Sequence, residues 1–257
     1  MYKYFLRAIL FLFRPETAHK LTFSFLKAFK YIPFSKPLSR VFFWFENKEL
    51  HRELFGIKFK NPVGLAAGLD KNAEAFNPLY NFGFSFIEIG TVTPLGQDGN
   101  PKPRLFRLKK DKALINRMGF NNNGVEAAVK RLQKRRSEVI IGGNIGKNTA
   151  TSNEDANNDY VKCFNDLHNY VDYFTVNVSC PNVTDLRELQ NKDSLLELLT
   201  KLKEINELKP KPKPILLKVS PDLNKDQLDD TIAIVENLGI DGIVAANTTT
   251  LRNGLSY

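Results

Sequence analysis

Tyr173-Phe174-Thr175-Val176-Asn177-Val178-Ser179-Cys180-Pro181-Asn182 is the stretch whose reading decides the fold. Its first four residues are β-branched or aromatic and read as a buried strand. Pro181 offers no N–H to a ladder, so the chain must turn there. A thiol therefore stands just past a strand end, between the carboxamides of Asn177 and Asn182. A cysteine can supply a thiolate near neutral pH, and two asparagines present paired donors and acceptors to a flat polar ligand. A buried, inert cysteine in a turn is the competing reading.

The pattern recurs on both sides. Apolar runs at Pro62–Gly68, Phe86–Val92, Val139–Gly146, Tyr173–Cys180, Pro214–Ser220 and Gly242–Thr248 read as strands, and helical spacing appears at 73–81, 122–136, 156–171, 192–208 and 224–238. Such alternation predicts parallel βαβ units in an α/β chain. Each strand end carries polar residues. Lys71 follows the first strand, and Thr91 and Asn144 end the next two. Asn177 with Cys180, Lys218, and Asn247 with Thr248 end the others. In a β/α barrel these ends share one rim, where a ligand would sit. Strands must end somewhere, so a chance run of polar ends is the plain alternative. Gly64, Ala66, Ala67 and Gly68 leave room for a flat cofactor against the backbone. Gly142 to Lys147 lacks the spacing of a P-loop, and no G-x-G-x-x-G follows a strand.

The 257 residues suit one α/β domain. The two cysteines, Cys163 and Cys180, form no disulfide framework, and His19, His51 and His168 lie at no ligand spacing, so no metal site is expected. The net charge of +9 admits nucleic acid, anionic lipid or an anionic ligand. Residues 1–45 hold eight basic residues against Glu16 alone, and 14 of the 29 aromatics. That composition suits a membrane surface better than a nucleic-acid groove.

Tyr2 to Arg14 reads as a short helix whose apolar run, Ala8 to Phe13, is far below the roughly 20 residues needed to span a bilayer. A signal peptide is the rival, but no A-x-A-like site follows Arg14. Residues 16–31 read as a second helix with Ala18, Leu21, Phe25, Ala28 and Phe29 on its apolar stripe and Lys20, Lys27 and Lys30 off it. Phe42-Phe43-Trp44-Phe45 adds four aromatics in a row. Helices that merely cap a core are the alternative. The expected division is 1–45, an amphipathic helical segment, and 46–257, the β/α unit.

Several motifs now stand together. They are Asn61-Pro62 through Gly68-Leu69-Asp70-Lys71, Glu88-Ile89-Gly90-Thr91-Val92-Thr93-Pro94 and Pro103-Arg104-Leu105-Phe106-Arg107. They continue with Asn116-Arg117-Met118-Gly119-Phe120, Asn144 to Asn148, Asn177 to Asn182 and Asn247-Thr248-Thr249. Jointly they resemble the dihydroorotate dehydrogenase family over nearly the whole chain, in its membrane-bound, quinone-linked class. The resemblance implies a TIM (β/α)8 barrel with FMN at its rim. It implies FMN contacts from Ala67, Gly68, Leu69, Asp70, Lys71, Thr91, Asn144, Asn177 and Lys218. It implies that Lys71, Asn116, Arg117, Met118, Gly119, Phe120, Asn177, Asn182, Asn247 and Thr248 hold dihydroorotate or orotate, with Cys180 as the base. A membrane quinone would take the electrons at a bacterial inner membrane, bound peripherally on its cytoplasmic face, with no nucleic acid involved.

The chain departs from that class in three places. Cys180 stands where the quinone class usually has serine. Val183 replaces a threonine that helps relay the serine proton, which a more acidic thiol needs less. Ala246 replaces a common threonine. Only six strands are found, so the barrel is expected to be incomplete, lacking its last strands and their phosphate-binding loops. Three rival readings remain. One is the soluble class using fumarate or NAD, and another is a tRNA dihydrouridine synthase-like flavoenzyme. The third is a non-catalytic membrane-associated fragment.

Overall fold

The computed structural model describes residues 2–29, 31–180 and 186–256. Pro181, Asn182 and Val183, like Lys30, lie outside them. Six parallel strands form one sheet in sequence order: β1 (Gly64–Leu65), β2 (Phe86–Val92), β3 (Ile140–Ile145), β4 (Tyr173–Asn177), β5 (Ile215–Lys218) and β6 (Gly242–Val244). The expected β/α barrel is present as an open six-stranded part of the closed eight. Apart from β2, which runs over Phe86–Val92 as expected, the strands end earlier than the sequence suggested. Thr91, Asn144, Asn177 and Lys218 remain within the strands, whereas Lys71, Cys180, Asn247 and Thr248 follow them in the loops.

Period two sorts the strands. In β4, Phe174 and Val176 point out to the helices, while Tyr173, Thr175 and Asn177 point into the barrel. In β2, Ile87 and Ile89 pack outward and Glu88 faces inward, where it bonds to Tyr173 and Thr175. The parallel register sets Thr175 beside Asn144 and Asn177 beside Lys218.

Helices cover the outer face. N-terminal to the sheet are α1 (Arg7–Leu10), α2 (Pro15–Phe29) and α3 (Ser35–Phe43). Between and after the strands come α4 (Phe76–Tyr80), α5 (Val125–Leu132), α6 (Ala156–Leu167), α7 (Lys192–Glu207) and α8 (Lys225–Leu238). The core joins Tyr160, Phe164 and Leu167 of α6 to Leu195, Leu198 and Leu202 of α7, and the Phe164 and Phe174 rings lie 4.3 Å apart. Helix α8 begins as its sequence dictates. Asn224 and Gln227 form a reciprocal capping box, and Gly239 at φ 61° ends the helix.

Three expectations change. Residues 122–124 pair with Leu95–Gln97 instead of opening a helix, because the Asn122 side chain donates to Thr93 Oγ1 at 2.8 Å and to the Phe120 carbonyl at 2.7 Å. Helix α2 buries Ala18, Phe23 and Leu26, so the expected stripe residues Leu21 and Phe25 are left 46% and 58% exposed. The Phe42–Phe45 run closes α3, a helix the apolar spacing did not reveal. No helix among the described residues is long and apolar enough to cross a membrane.

Gly142 and Gly143 lie within β3, as expected. A Cβ at Gly142 would come within 2.3 Å of the Tyr173 ring. That vacancy lets the Tyr173 hydroxyl reach Glu88 inside the barrel.

Candidate functional site

Four strand ends meet in one hydrogen-bonded cluster. Thr91 donates to Asn144 Oδ1 at 2.6 Å, and the Asn177 amide donates to Thr91 Oγ1 at 2.9 Å and to Asn144 Oδ1 at 3.3 Å. Asn247 donates to Asn177 Oδ1 at 3.2 Å and to Ser179 Oγ at 3.0 Å. Thr248 contributes its N–H to Asn247 Oδ1 at 2.9 Å and is otherwise exposed. Beneath the cluster, buried Glu88 accepts from Asn144 Nδ2 at 2.8 Å, Thr175 Oγ1 at 3.0 Å and Tyr173 OH at 3.3 Å. A buried carboxylate is tolerable only with such satisfaction.

Lys71 stands outside this cluster, in the loop after β1. Its Nζ donates to Asn121 Oδ1 at 2.7 Å and approaches Met118 Sδ at 3.1 Å. Burial is the main cause that pushes its pKa down to about 8, and Arg104 adds to it; the Cys180 thiolate and Glu16 pull the other way. Cys180 is thus within electrostatic reach of the ammonium. It is buried, and neither cysteine is in a disulfide. Cys163, by contrast, packs inside α6 with its thiol toward the Val92 carbonyl at 3.7 Å, and burial pushes its pKa well up.

The first rim loop is open on one side. Gly68 adopts φ +107° with no atom within 4 Å of a hypothetical Cβ, and its N–H bonds the Gly90 carbonyl at 2.8 Å. Ala67 and Leu69 flank it. The Leu69 carbonyl accepts from His19 Nε2 of α2 at 3.0 Å. Asp70 turns away from the rim. Its carboxylate accepts from the Glu74 and Ala75 N–H groups at 2.6 and 2.8 Å, and burial raises its pKa to about 6. Lys218 ends β5 beside Asn177 and has no hydrogen-bond or ion-pair partner among the described residues. A flat ligand with polar edges fits this set: open backbone at Gly68, amides at Asn144 and Asn177, an unengaged cation at Lys218.

The 116–120 loop contributes unevenly. Asn116 is exposed and its Oδ1 accepts from the Met118 N–H at 3.0 Å. Arg117 points elsewhere, donating to the Pro103 carbonyl at 3.1 Å with its guanidinium over Phe106. Gly119 and Phe120 take φ of 70° and 50°, and the Phe120 ring packs on Gly146. Asn182 is outside the described residues.

Sequence reasoning gave no role to Glu88, Ser179 or Asn121, although an acid inside the apolar run Phe86–Val92 was a visible signal. It also missed the tie between the N-terminal segment and the barrel. Glu16 of α2 receives two Arg104 nitrogens at 2.8 and 3.2 Å, and the Arg104 hydrogen bond holds the Glu16 pKa below the usual carboxylate value against the opposing effect of burial.

The sequence profile of the dihydroorotate dehydrogenase family matches residues 49–257. A Christiangramia forsetii protein named dihydroorotate dehydrogenase (quinone) is 56% identical over 255 residues, covering 99% of this chain and 75% of the relative. One of that name from Coxiella burnetii is 46% identical over 264 residues, covering 99% and 73%. The ligand-free dihydroorotate dehydrogenase of Eimeria tenella superposes with a TM-score of 0.84 at 34% identity, covering 95% of this chain and 72% of that one.

Proposed function

Because the chain belongs to the dihydroorotate dehydrogenase family, we propose that it oxidises dihydroorotate to orotate and delivers the electrons to a quinone. The observation that carries this reading is the continuous cluster of Thr91, Asn144, Asn177 and Asn247, with Lys71 within electrostatic reach of Cys180. The quinone-linked names of the relatives disfavour the soluble-class and tRNA-modifying readings.

FMN fits the open side of the rim. The Gly68 backbone, Thr91, Asn144, Asn177 and Lys218 would hold it, with the Ala67 to Lys71 loop alongside. When bound, FMN supplies the acceptor for the hydride that leaves C6 of the substrate. Cys180 Sγ takes the proton from C5, so a C5=C6 double bond forms as one proton and one hydride depart. Lys71 meets the substrate carboxylate, and its Cys180 neighbour gains a cation that favours the thiolate. Asn177, Asn247 and Asn182 orient the ring, and the 116–120 loop covers it. Lys218 offsets negative charge on the reduced cofactor.

Residues 1–45 serve peripheral membrane docking and quinone access. The exposed apolar residues of α1, α2 and α3, with basic residues among them, support this. Quinone would enter beside α2, where His19, Glu16 and Arg104 link that helix to the barrel loops. Anaerobic mixing of flavin-loaded protein with dihydroorotate should bleach the flavin, and a flavin that stays oxidised would overturn the reading.

A further inference from the structure

Lys36, Arg40, Lys134 and Arg136 line one cavity of about 860 Å³, enclosed by the end of α2, α3, α4 and the turn after α5. None of the rim residues reaches it. None of the four cations forms an ion pair with a described residue. The acid on its wall, Glu138, has its Oε2 3.3 Å from Lys60. Arg40 Nε is shielded from solvent and has no hydrogen-bond partner among the described residues, while its guanidinium lies 4.9 Å from the Trp44 ring and 5.8 Å from that of Tyr80. Shielded donors are almost always satisfied, so one left open beside three further cations points to an absent acceptor. No side chain caps the N-terminus of helix α3 and its first turn holds no acid, so the positive end of its dipole is left for an anion. The matching ligand is an anion with several acceptor oxygens, as in a phosphate ester.

The rest of α3 decides which phosphate ester. Ser35 and Ser39 are its buried face, and Lys36 and Arg40, four residues apart, are its cavity face. Its third face carries Leu38, Val41 and Phe42, exposed by 54%, 78% and 72%, with Phe34 at 81% just before the helix. A free phosphate has no use for these side chains, whereas a lipid has acyl chains attached to its headgroup. We infer that the cavity seats the phosphodiester headgroup of an anionic phospholipid, with the apolar face of α3 in the boundary of the acyl region. This rests on the reading that the protein works at a membrane.

The test uses the full chain with phosphatidylcholine vesicles, with and without phosphatidylglycerol, in a flotation assay. Lys134→Gln/Arg136→Gln is the decisive variant. Neither side chain has a partner among the described residues, so folding is spared, and both lie outside the N-terminal helical segment. Lys201→Gln/Lys211→Gln removes equal charge elsewhere. The expected result is that the first variant binds phosphatidylglycerol vesicles about tenfold or more weakly than the unaltered chain, while the control variant does not. Equal loss in both variants would mean diffuse attraction and overturns the proposal, as does no loss in either. A site that binds inorganic phosphate tightly, with vesicle binding unchanged in the first variant, would be a free-phosphate site and overturns it too. Failure of the unaltered chain to bind any vesicle would instead refute the membrane reading itself. Flavin bleaching by dihydroorotate, measured alongside, should be the same in all forms.

Discussion

The Glu88 carboxylate accepts a 2.8 Å hydrogen bond from the side-chain amide of Asn144. That bond fixes which way the amide faces. With Nδ2 committed to Glu88, Oδ1 is left to accept from both Thr91 and Asn177. An acid inside the barrel therefore orders the polar face of the rim above it. Glu88→Ala should leave three donors, from Asn144, Thr175 and Tyr173, without an acceptor. Such losses cost roughly 2–4 kcal/mol, to be read from the shift in the urea unfolding midpoint. A shift within error would show that water or rotation satisfies the donors.

Cys180→Ala should slow flavin reduction by about 10²–10⁴, the usual scale for a general base. Cys163→Ala should leave that rate nearly unchanged, because its thiol is buried in α6 and points at a backbone carbonyl. Stopped-flow absorbance with dihydroorotate separates the two.

Lys71 gives orotate binding a defined pH dependence. Its pKa is depressed to about 8, so the ammonium is present below that pH and lost above it. Affinity should be level on the acid side and fall by about tenfold per pH unit above pH 8, since only the protonated form pairs with the substrate carboxylate. Lys71→Arg should remove the fall, because arginine stays charged. A spectral titration with orotate from pH 6 to pH 10 provides the check.

Leu21 and Phe25 project from α2 into solvent, whereas Phe23 and Leu26 hold that helix to the core. Leu21→Ser/Phe25→Ser should thus keep the melting temperature within a few degrees and still lower turnover with a long-chain quinone. Phe23→Ser should do the opposite, with unfolding as the dominant effect. Thermal melts beside quinone-coupled assays distinguish these outcomes.

The six strands and their parallel sense could be read from the sequence as apolar runs, although Lys71, Cys180, Asn247 and Thr248, expected at strand ends, fall in the loops beyond them. The pairing of short segments could not. Leu105–Leu108 with Ala113–Asn116, and Leu95–Gln97 with Asn122–Gly124, are four and three residues long, and only their partners make them strands. Side-chain direction was also hidden. Asp70 and Arg117 belong to motifs at the rim, yet one caps a turn and the other lies on Phe106. The exposed stripe of α2 was chosen wrongly for a similar reason. The helix carries apolar residues on two faces, and composition does not say which one the barrel will take.

The alternation along Tyr173–Asn177 bears on how such a chain can change over time. Positions 173, 175 and 177 answer to the interior chemistry, while positions 174 and 176 answer to the helices. Point replacements can therefore explore one set while the other keeps the packing intact. Loss or gain of one residue within the strand gives no such independence. It would turn Asn177 toward the helices and Val176 toward the rim in a single event, so substitution, rather than insertion or deletion, is the route by which this strand can diversify.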